Sequence, residues 1–341
     1  MNTKQVPVDL LDHGLATNIL TTFVAITIAV VVFKARCRRG TLSRKPAKDP
    51  YSIDPCPNPD CVRCQKYAIV QQQAIRKLPW IVKKEGCSLD RITEGIRLGR
   101  DQPRNQNMAL SPSSAQYPTV LLIPHLTTRP LLTDMHNSAC SYMEEMVDVI
   151  ASEFQSAPRC HLWNHNDVEG TAAPWKVLQL MNQGQWIHHG NNDEDFQLES
   201  LSELFPQTIQ AVQRLENLLQ SCVFGNVFFS RIQSGSRIAP HCGPTNVRHR
   251  LHLTIALEDV SSSCVLHVRE ECMRWRQRRA FVFDDSLLHS VEYENNIQGN
   301  SRRSNESERV VLIVDLWHPE LTSSERTAIC DLYPTKTLSI G

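Results

Sequence analysis

The chain has 341 residues, and 36 Lys and Arg balance 36 Asp and Glu, so the formal net charge is zero. At about 150 residues per domain, the length allows one large domain or two smaller ones that bury a core without help from disulfides or metals. The charge balance excludes a general nucleic-acid binder, which needs a basic footprint, and a disordered acidic protein; 19 prolines, 13 glycines and 6% aromatics suit a loop-rich globular chain.

The first strong local feature runs from Leu15 to Phe33 (LATNILTTFVAITIAVVVF), without a single charge. At about 1.5 Å per residue it nearly crosses a hydrocarbon core of about 30 Å. Lys34, Arg36, Arg38 and Arg39 come immediately after it. A cleaved signal peptide carries positive charge before its apolar run and a small-residue site after it. The order here is reversed, so a retained transmembrane helix is expected over 15–33, behind a short tail at 1–14. The positive-inside rule places the C-terminal flank of this helix in the cytosol.

Residues 34–116 read as a stalk and linker. Cys56, Cys61 and Cys64 form a CxxxxCxxC cluster among the twelve cysteines. This spacing suits a zinc site completed by Cys37 or Cys87, disulfides if the segment is lumenal, or unpaired stalk thiols. The cysteines from Cys140 to Cys330 have no repeat spacing and read mostly as small buried hydrophobes. Residues 66–78 (KYAIVQQQAIRKL) predict a helix ending before Pro79, and 89–100 (LDRITEGIRLGR) a second. The polar, Pro- and Ser-rich stretch 101–118 reads as a linker. Residues 136–155 predict one amphipathic helix, with Met143, Met146, Val147, Ile150 and Phe154 at helical spacing.

After residue 225 the pattern turns to short β-rich runs at 226–232, 247–257, 263–268, 279–285 and 309–317, separated by turn-prone segments. An antiparallel sandwich or barrel is expected. Within 247–257, alternation puts Val247, His249, Leu251, Leu253, Ile255 and Leu257 on one face, with Arg248, Arg250, His252 and Thr254 on the other. His241 precedes this strand and His289 ends another run, FDDSLLH. Imidazole suits iron, copper and zinc, although such a pair alone fits a structural role as well. In the last strand Arg309, Val311, Ile313 and Asp315 share a face. An arginine turned into an apolar barrel needs an anionic partner, either a carboxylate of the fold or a dicarboxylate ligand.

The segments HCGPTNVRHRLHL, FDDSLLH and VDLWHPEL occur in this order and together resemble the aspartyl/asparaginyl β-hydroxylase family. The resemblance covers roughly Tyr117 to Leu321 and is sharpest from Ser230 onward. It implies a mainly β protein with flanking helices: a double-stranded β-helix (jelly roll, cupin-like) over 117–335, preceded here by the single transmembrane helix. It implies iron(II) and 2-oxoglutarate as cofactors. His241 and His289 match the iron-binding, catalytic histidines. Ser230, Arg250, His252 and Arg309 match 2-oxoglutarate-binding positions, with Arg309 and Ser230 at the distal carboxylate and Arg250 and His252 at the proximal end. Gly243 stands where most 2-oxoglutarate oxygenases carry a third, carboxylate ligand, and this family is similar in lacking it. His249 stands where the family commonly has Leu, and Thr254 where it commonly has Gly; His249 should pack behind the site. The loop Glu292–Glu308 could form a rim or lid, and it holds the glycosylation sequon Asn305-Glu306-Ser307.

The resemblance further implies hydroxylation of an Asp or Asn side chain in a protein substrate, in the endoplasmic reticulum, with a lumenal catalytic domain. The lumenal side conflicts with the charge rule, which favours the cytosol. Membrane attachment through one helix and the absence of a nucleic-acid partner complete the expectation. Two competing readings are a membrane-anchored binding protein with a degenerate oxygenase fold and a zinc scaffold centred on Cys56, Cys61 and Cys64.

Overall fold

The computed structural model describes residues 62–85, 88–101, 116, 118–157, 163–165, 175–187, 200–257, 264–294 and 307–335. The chain divides into a unit Met1–Ser52, outside the described residues, and a unit Ile53–Gly341, which holds every described element. The apolar run at 15–33, the basic residues behind it, Cys56, Cys61 and the Asn305 sequon also lie outside. Cys64 falls within a helix, but its side chain is not described. Among the described residues no helix is long and apolar enough to cross a membrane.

The large sheet contains β1 (Asn164–His165), β2 (Lys176–Asn182), β3 (Gln185–Trp186), β4 (Val227–Gln233), β6 (Arg248–Leu257), β9 (Ala280–Phe283) and β11 (Glu308–Trp317). Its order is β1-β2-β4-β11-β6-β9, with β3 beside β2. The small sheet is built from β5 (Arg237–His241), β7 (Cys264–Val268), β8 (Glu271–Arg274) and β10 (His289–Tyr293), in the order β5-β10-β7-β8. From β4 to β11 the chain passes back and forth between two antiparallel sheets. That is the connectivity of an eight-stranded jelly roll.

Strand β11 lies between β4 and β6 and is buried from Arg309 to Trp317. Its residues alternate between two cores. Val310, Leu312, Val314 and Leu316 enter one beneath the helices, while Val311 and Ile313 enter the core between the sheets. The shared face expected for Arg309, Val311, Ile313 and Asp315 comes from that alternation. In β6, Leu251, Leu253 and Ile255 join the helix-covered core as expected. Leu257 does not, because it packs against the inter-sheet cluster. A bulge explains the switch: Thr254 faces Val311 while Ala256 faces Val310, so the extra residue, Ile255, reverses the alternation after it.

Two helices replace the single one expected over 136–155: α3 (Asn137–Glu145) and α4 (Val147–Ser156). They meet at Met146, whose ψ of −4° turns the chain while its N–H still reaches the Tyr142 carbonyl. Met143, Val147 and Ile150 are buried in the helix-covered core. Helix α5 (Leu201–Leu204) leads into α6 (Pro206–Gln213). The carboxylate of Glu153 accepts hydrogen bonds from the Gln207 and Thr208 amides, which have no partner inside their own helix.

The first described helix, α1 (Val62–Glu85), runs through Pro79 and does not stop before it. A proline inside a helix costs about 3 kcal/mol. Here both sides of it are held by tertiary contacts. Val70 and Ala74 precede it and Ile81 comes after it, all buried in a cluster with Ile329 and Leu332 of α7 (Ser323–Leu332). Lys84 also pairs with Asp331 at 2.7 Å. Helix α2 (Asp90–Asp101) forms where expected, and Ile92 and Ile96 enter the same cluster.

Candidate active site

The two candidate histidines face each other across the small sheet. His241 ends β5, His289 begins β10, and they are direct cross-strand partners with ring centroids 4.2 Å apart. The Nδ1 of His241 bonds the Ala239 carbonyl at 2.9 Å, and that of His289 bonds the Leu287 carbonyl at 2.8 Å. A carbonyl only accepts, so each Nδ1 carries the proton and each neutral ring keeps its lone pair on Nε2. Burial first, and then the neighbouring His241, pushes His289 down to about 3. The ring is therefore neutral at physiological pH, the form that ligates a metal.

Gly243 is explained by its neighbour. Its N–H donates to the Asp285 carbonyl at 2.6 Å, and a Cβ added there would lie 2.5 Å from Asp285 Oδ2. A third carboxylate therefore has no room at position 243. Among the described residues, no group of three or more His, Cys, Asp or Glu is placed to hold a metal. Among those residues the candidate donors are the histidine pair.

Asp285 belongs to a buried charge network. Arg248 Nη2 reaches its Oδ2 at 2.6 Å, and Arg250 Nη1 lies 3.5 Å from the same oxygen. Burial pushes this carboxyl up, but the two guanidinium groups outweigh burial and hold it well below the usual carboxylate range. Asp315 accepts from Arg250 Nε at 2.8 Å, Arg248 Nη1 at 3.0 Å and Asn226 Nδ2 at 2.9 Å. Arg250 is thus already paired within the protein.

Arg309 is different. It is 1% exposed, and its guanidinium lies over the Trp275 ring at 4.3 Å. Its Nη2 is 3.4 Å from Ser230 Oγ. Among the described residues no carboxylate pairs with it, and its buried Nε has no hydrogen-bond partner. Burial pulls its pKa down. Ser230 also accepts from Trp175 Nε1 at 3.0 Å. With two donors aimed at its oxygen, the Ser230 hydroxyl proton is left to serve an acceptor.

His252 lies between these groups and the histidine pair. Its Nδ1 accepts from Trp275 Nε1 at 3.3 Å, so its proton sits on Nε2, a buried donor without a partner. Burial first, then Arg309 and Arg250, keeps the ring neutral. The Phe283 ring lies 5.1 Å from His252 and 5.3 Å from His289, and so spans the two. Sequence patterns assign no role to Trp275, Trp175, Asp285 or Phe283. Phe283 and Asp285 stand inside the segment FDDSLLH, whereas the tryptophans lie outside every motif and carry no periodic signal.

His249 takes the opposite side of β6. It is fully buried, its Nδ1 lies 2.9 Å from His136 Nε2, and its ring centroid is 4.3 Å from that of His318. It packs behind the site, as expected.

Jelly-roll topology, a histidine pair on adjacent strands and a buried arginine with no carboxylate partner among the described residues define a mainly β protein with one candidate site for a metal and an anion. The aspartyl/asparaginyl β-hydroxylase family model matches residues 144–319. The human aspartate beta-hydroxylase domain-containing protein 2 is 30% identical over 283 residues, covering 80% of this chain and 69% of the relative. The mouse aspartate beta-hydroxylase domain-containing protein 1 is 35% identical over 124 residues, 36% of this chain and 32% of the relative. The mouse aspartyl/asparaginyl beta-hydroxylase is 27% identical over 150 residues, 44% of this chain and 18% of the relative. The chain belongs to the aspartyl/asparaginyl β-hydroxylase family.

Proposed function

We propose that the protein is a membrane-anchored dioxygenase that uses iron(II) and 2-oxoglutarate to hydroxylate the β-carbon of Asp or Asn side chains in protein substrates. The observation that carries this reading is Arg309, a fully buried guanidinium with no carboxylate partner among the described residues. Leaving a charge buried and unpaired costs several kcal/mol, so the site favours an anion that enters and neutralises it. Ser230 supplies a hydroxyl donor beside it and His252 an Nε2–H donor further in. A dicarboxylate would place its distal carboxylate on Arg309 and Ser230, with His252 as a further donor to it.

The residues fit the metal as well. Two imidazoles with Nδ1 fixed by backbone carbonyls would offer Nε2 as ligand atoms. When bound, iron(II) and 2-oxoglutarate would activate dioxygen, the oxidant that delivers one oxygen atom to the substrate C–H bond and the other to the succinate formed from the cosubstrate. The chain's own residues bind and orient. Arg309 and Ser230 fix one end of the cosubstrate, Phe283 and Trp275 exclude water, and the Arg248–Asp285–Arg250 network closes position 243.

Purified full-length protein, incubated with iron(II), 2-oxoglutarate and Asp- or Asn-containing domains, should release succinate in step with a mass gain of one oxygen on the substrate. Binding of 2-oxoglutarate without succinate from any substrate would support the degenerate-fold reading; absence of both would end the oxygenase reading. For localisation, the run at 15–33 is taken as the anchor and the catalytic domain as lumenal in the endoplasmic reticulum. A glycosidase-sensitive mobility shift that disappears in Asn305→Gln supports this side, and its absence favours the cytosol.

A further inference from the structure

Among the described residues Cys140, Cys222, Cys242, Cys264, Cys272 and Cys330 are thiols. Cys140 and Cys264 behave as small buried hydrophobes, and burial pushes them up to about 12 and about 11. Cys222 and Cys330 differ, because each side chain is the other's direct neighbour. Cys222 is fully buried in the turn that feeds β4, whereas Cys330, on α7, is partly exposed.

The backbone holds these two segments together independently of the thiols. Val223 N donates to the Tyr333 carbonyl at 3.1 Å, and Cys222 pairs with Pro334 in an antiparallel bridge. The Phe224 and Tyr333 rings lie 5.0 Å apart. Cys330 stands one helical turn before this bridge, on the side facing the same core cluster as Cys222. Neighbouring thiols on segments that backbone pairing already holds together are the arrangement from which a sulfur–sulfur bond of roughly 2.05 Å forms.

We propose that Cys222 and Cys330 form a disulfide site, a cross-link that staples α7 to the turn entering β4. The oxidant is an external disulfide, small-molecule or protein, of an oxidising compartment. The Cys330 thiolate attacks one sulfur of that disulfide and expels the first thiolate, giving a mixed disulfide on Cys330. Cys222 loses its proton to the departing thiolate, attacks the Cys330 sulfur and expels the second thiol. One external disulfide becomes two thiols and the protein loses two hydrogens. The order of attack reflects access and acidity: Cys330 is partly exposed and its neighbour Cys222 draws its pKa down, whereas burial drives Cys222 up.

The staple bears on the active site through two residues. Phe224, next but one to Cys222, offers its carbonyl to Arg248 Nη1, the same guanidinium that holds Asp285 and Asp315. Fixing the turn fixes one end of that network. The inference stands apart from the proposed hydroxylation, and its test measures no turnover.

Full-length protein is equilibrated in glutathione buffers from reducing to oxidising, acid-quenched, alkylated and digested without reductant. The expected result is a Cys222–Cys330 linked peptide that accumulates as the buffer becomes oxidising. Closing a loop of about 110 residues should raise the melting temperature of the oxidised form by roughly 10 °C over the reduced one. In Cys222→Ser, Cys330 should stop at the mixed disulfide and carry a glutathione adduct. Folded wild-type protein in which both residues remain separately alkylated after full oxidation would overturn the proposal, as would a linked peptide that pairs either one elsewhere. The wild-type mapping decides the matter even if the serine variant does not fold.

Discussion

The two ends of one strand face treat buried positive charge in opposite ways. Arg309 and Asp315 lie on the same side of β11, about 20 Å apart at roughly 3.3 Å per residue. At the Asp315 end, Arg248 and Arg250 share two aspartates, and the charges close among themselves. At the Arg309 end a guanidinium is buried on an indole face with no carboxylate among the described residues. A closed network needs nothing from outside and works as framework. An open buried charge is costly without a counter-anion, and that contrast is what the proposed cosubstrate role of Arg309 rests on.

The largest effect should come from opening the closed end. Asp315→Ala leaves Arg248 and Arg250 short of their shared acceptor, and removing one partner of a buried pair costs about 3–5 kcal/mol. Urea unfolding should register that loss, and a change below about 1 kcal/mol would dissolve the distinction between the two ends. The converse substitution acts on the open end. Arg309→Met should leave stability equal or higher while weakening 2-oxoglutarate binding on the order of 100-fold, as expected for losing charge-assisted hydrogen bonds of about 1.5–3 kcal/mol each. Calorimetry and melting together read both halves, and a destabilised variant with unchanged affinity would reverse the assignment.

Acid should separate the charge network from the far side of β6. His136 is pushed down to about 4 by burial and then by His318, and His249 and His318 are lowered as well, chiefly by burial. Their folded pKa values lie below the unfolded value of about 6.5, so this stability is present above that pH and drains as pH falls toward the folded values. Between pH 7 and 5, His136 should cost on the order of 2 kcal/mol, read as the fall in urea midpoint that the wild type shows and His136→Phe lacks. Asp285, held ionised by its arginines, contributes no loss in that window. The smallest effect belongs to Ser230→Ala. One hydrogen bond of about 1 kcal/mol should raise the KM for 2-oxoglutarate roughly five-fold with kcat little changed.

Particular residues show how far the sequence can be read. The alternation in 309–317 places Arg309 and Asp315 on one face, and the strand obeys it because both faces are buried and register is fixed. The same rule misplaces Leu257, since a bulge at Ile255 is set by pairing with β11 and leaves no mark in β6 itself. Pro79 signals a helix end that the packing of Val70, Ala74 and Ile81 overrides. The strands β2, β5, β8 and β10 lie outside the expected β-rich runs, and β5 and β10 are the two that bring His241 and His289 together. At the start of α7, a helix absent from the expected elements, Thr322 and Glu325 form a capping box, a Thr three residues before a Glu.

The sequence by itself determined the periodicities, the three motif segments and, through them, the family and the candidate residues of the site. Those signals are local, because a strand's alternation and a turn's residue types are properties of consecutive positions. Only the tertiary structure decided which buried charges find partners. Arg250 and Arg309 look alike in the chain, yet one meets Asp315 across paired strands while the other meets Trp275 and Ser230 and no carboxylate among the described residues. Compensation depends on contacts between positions dozens of residues apart, which no run of neighbouring residues can specify.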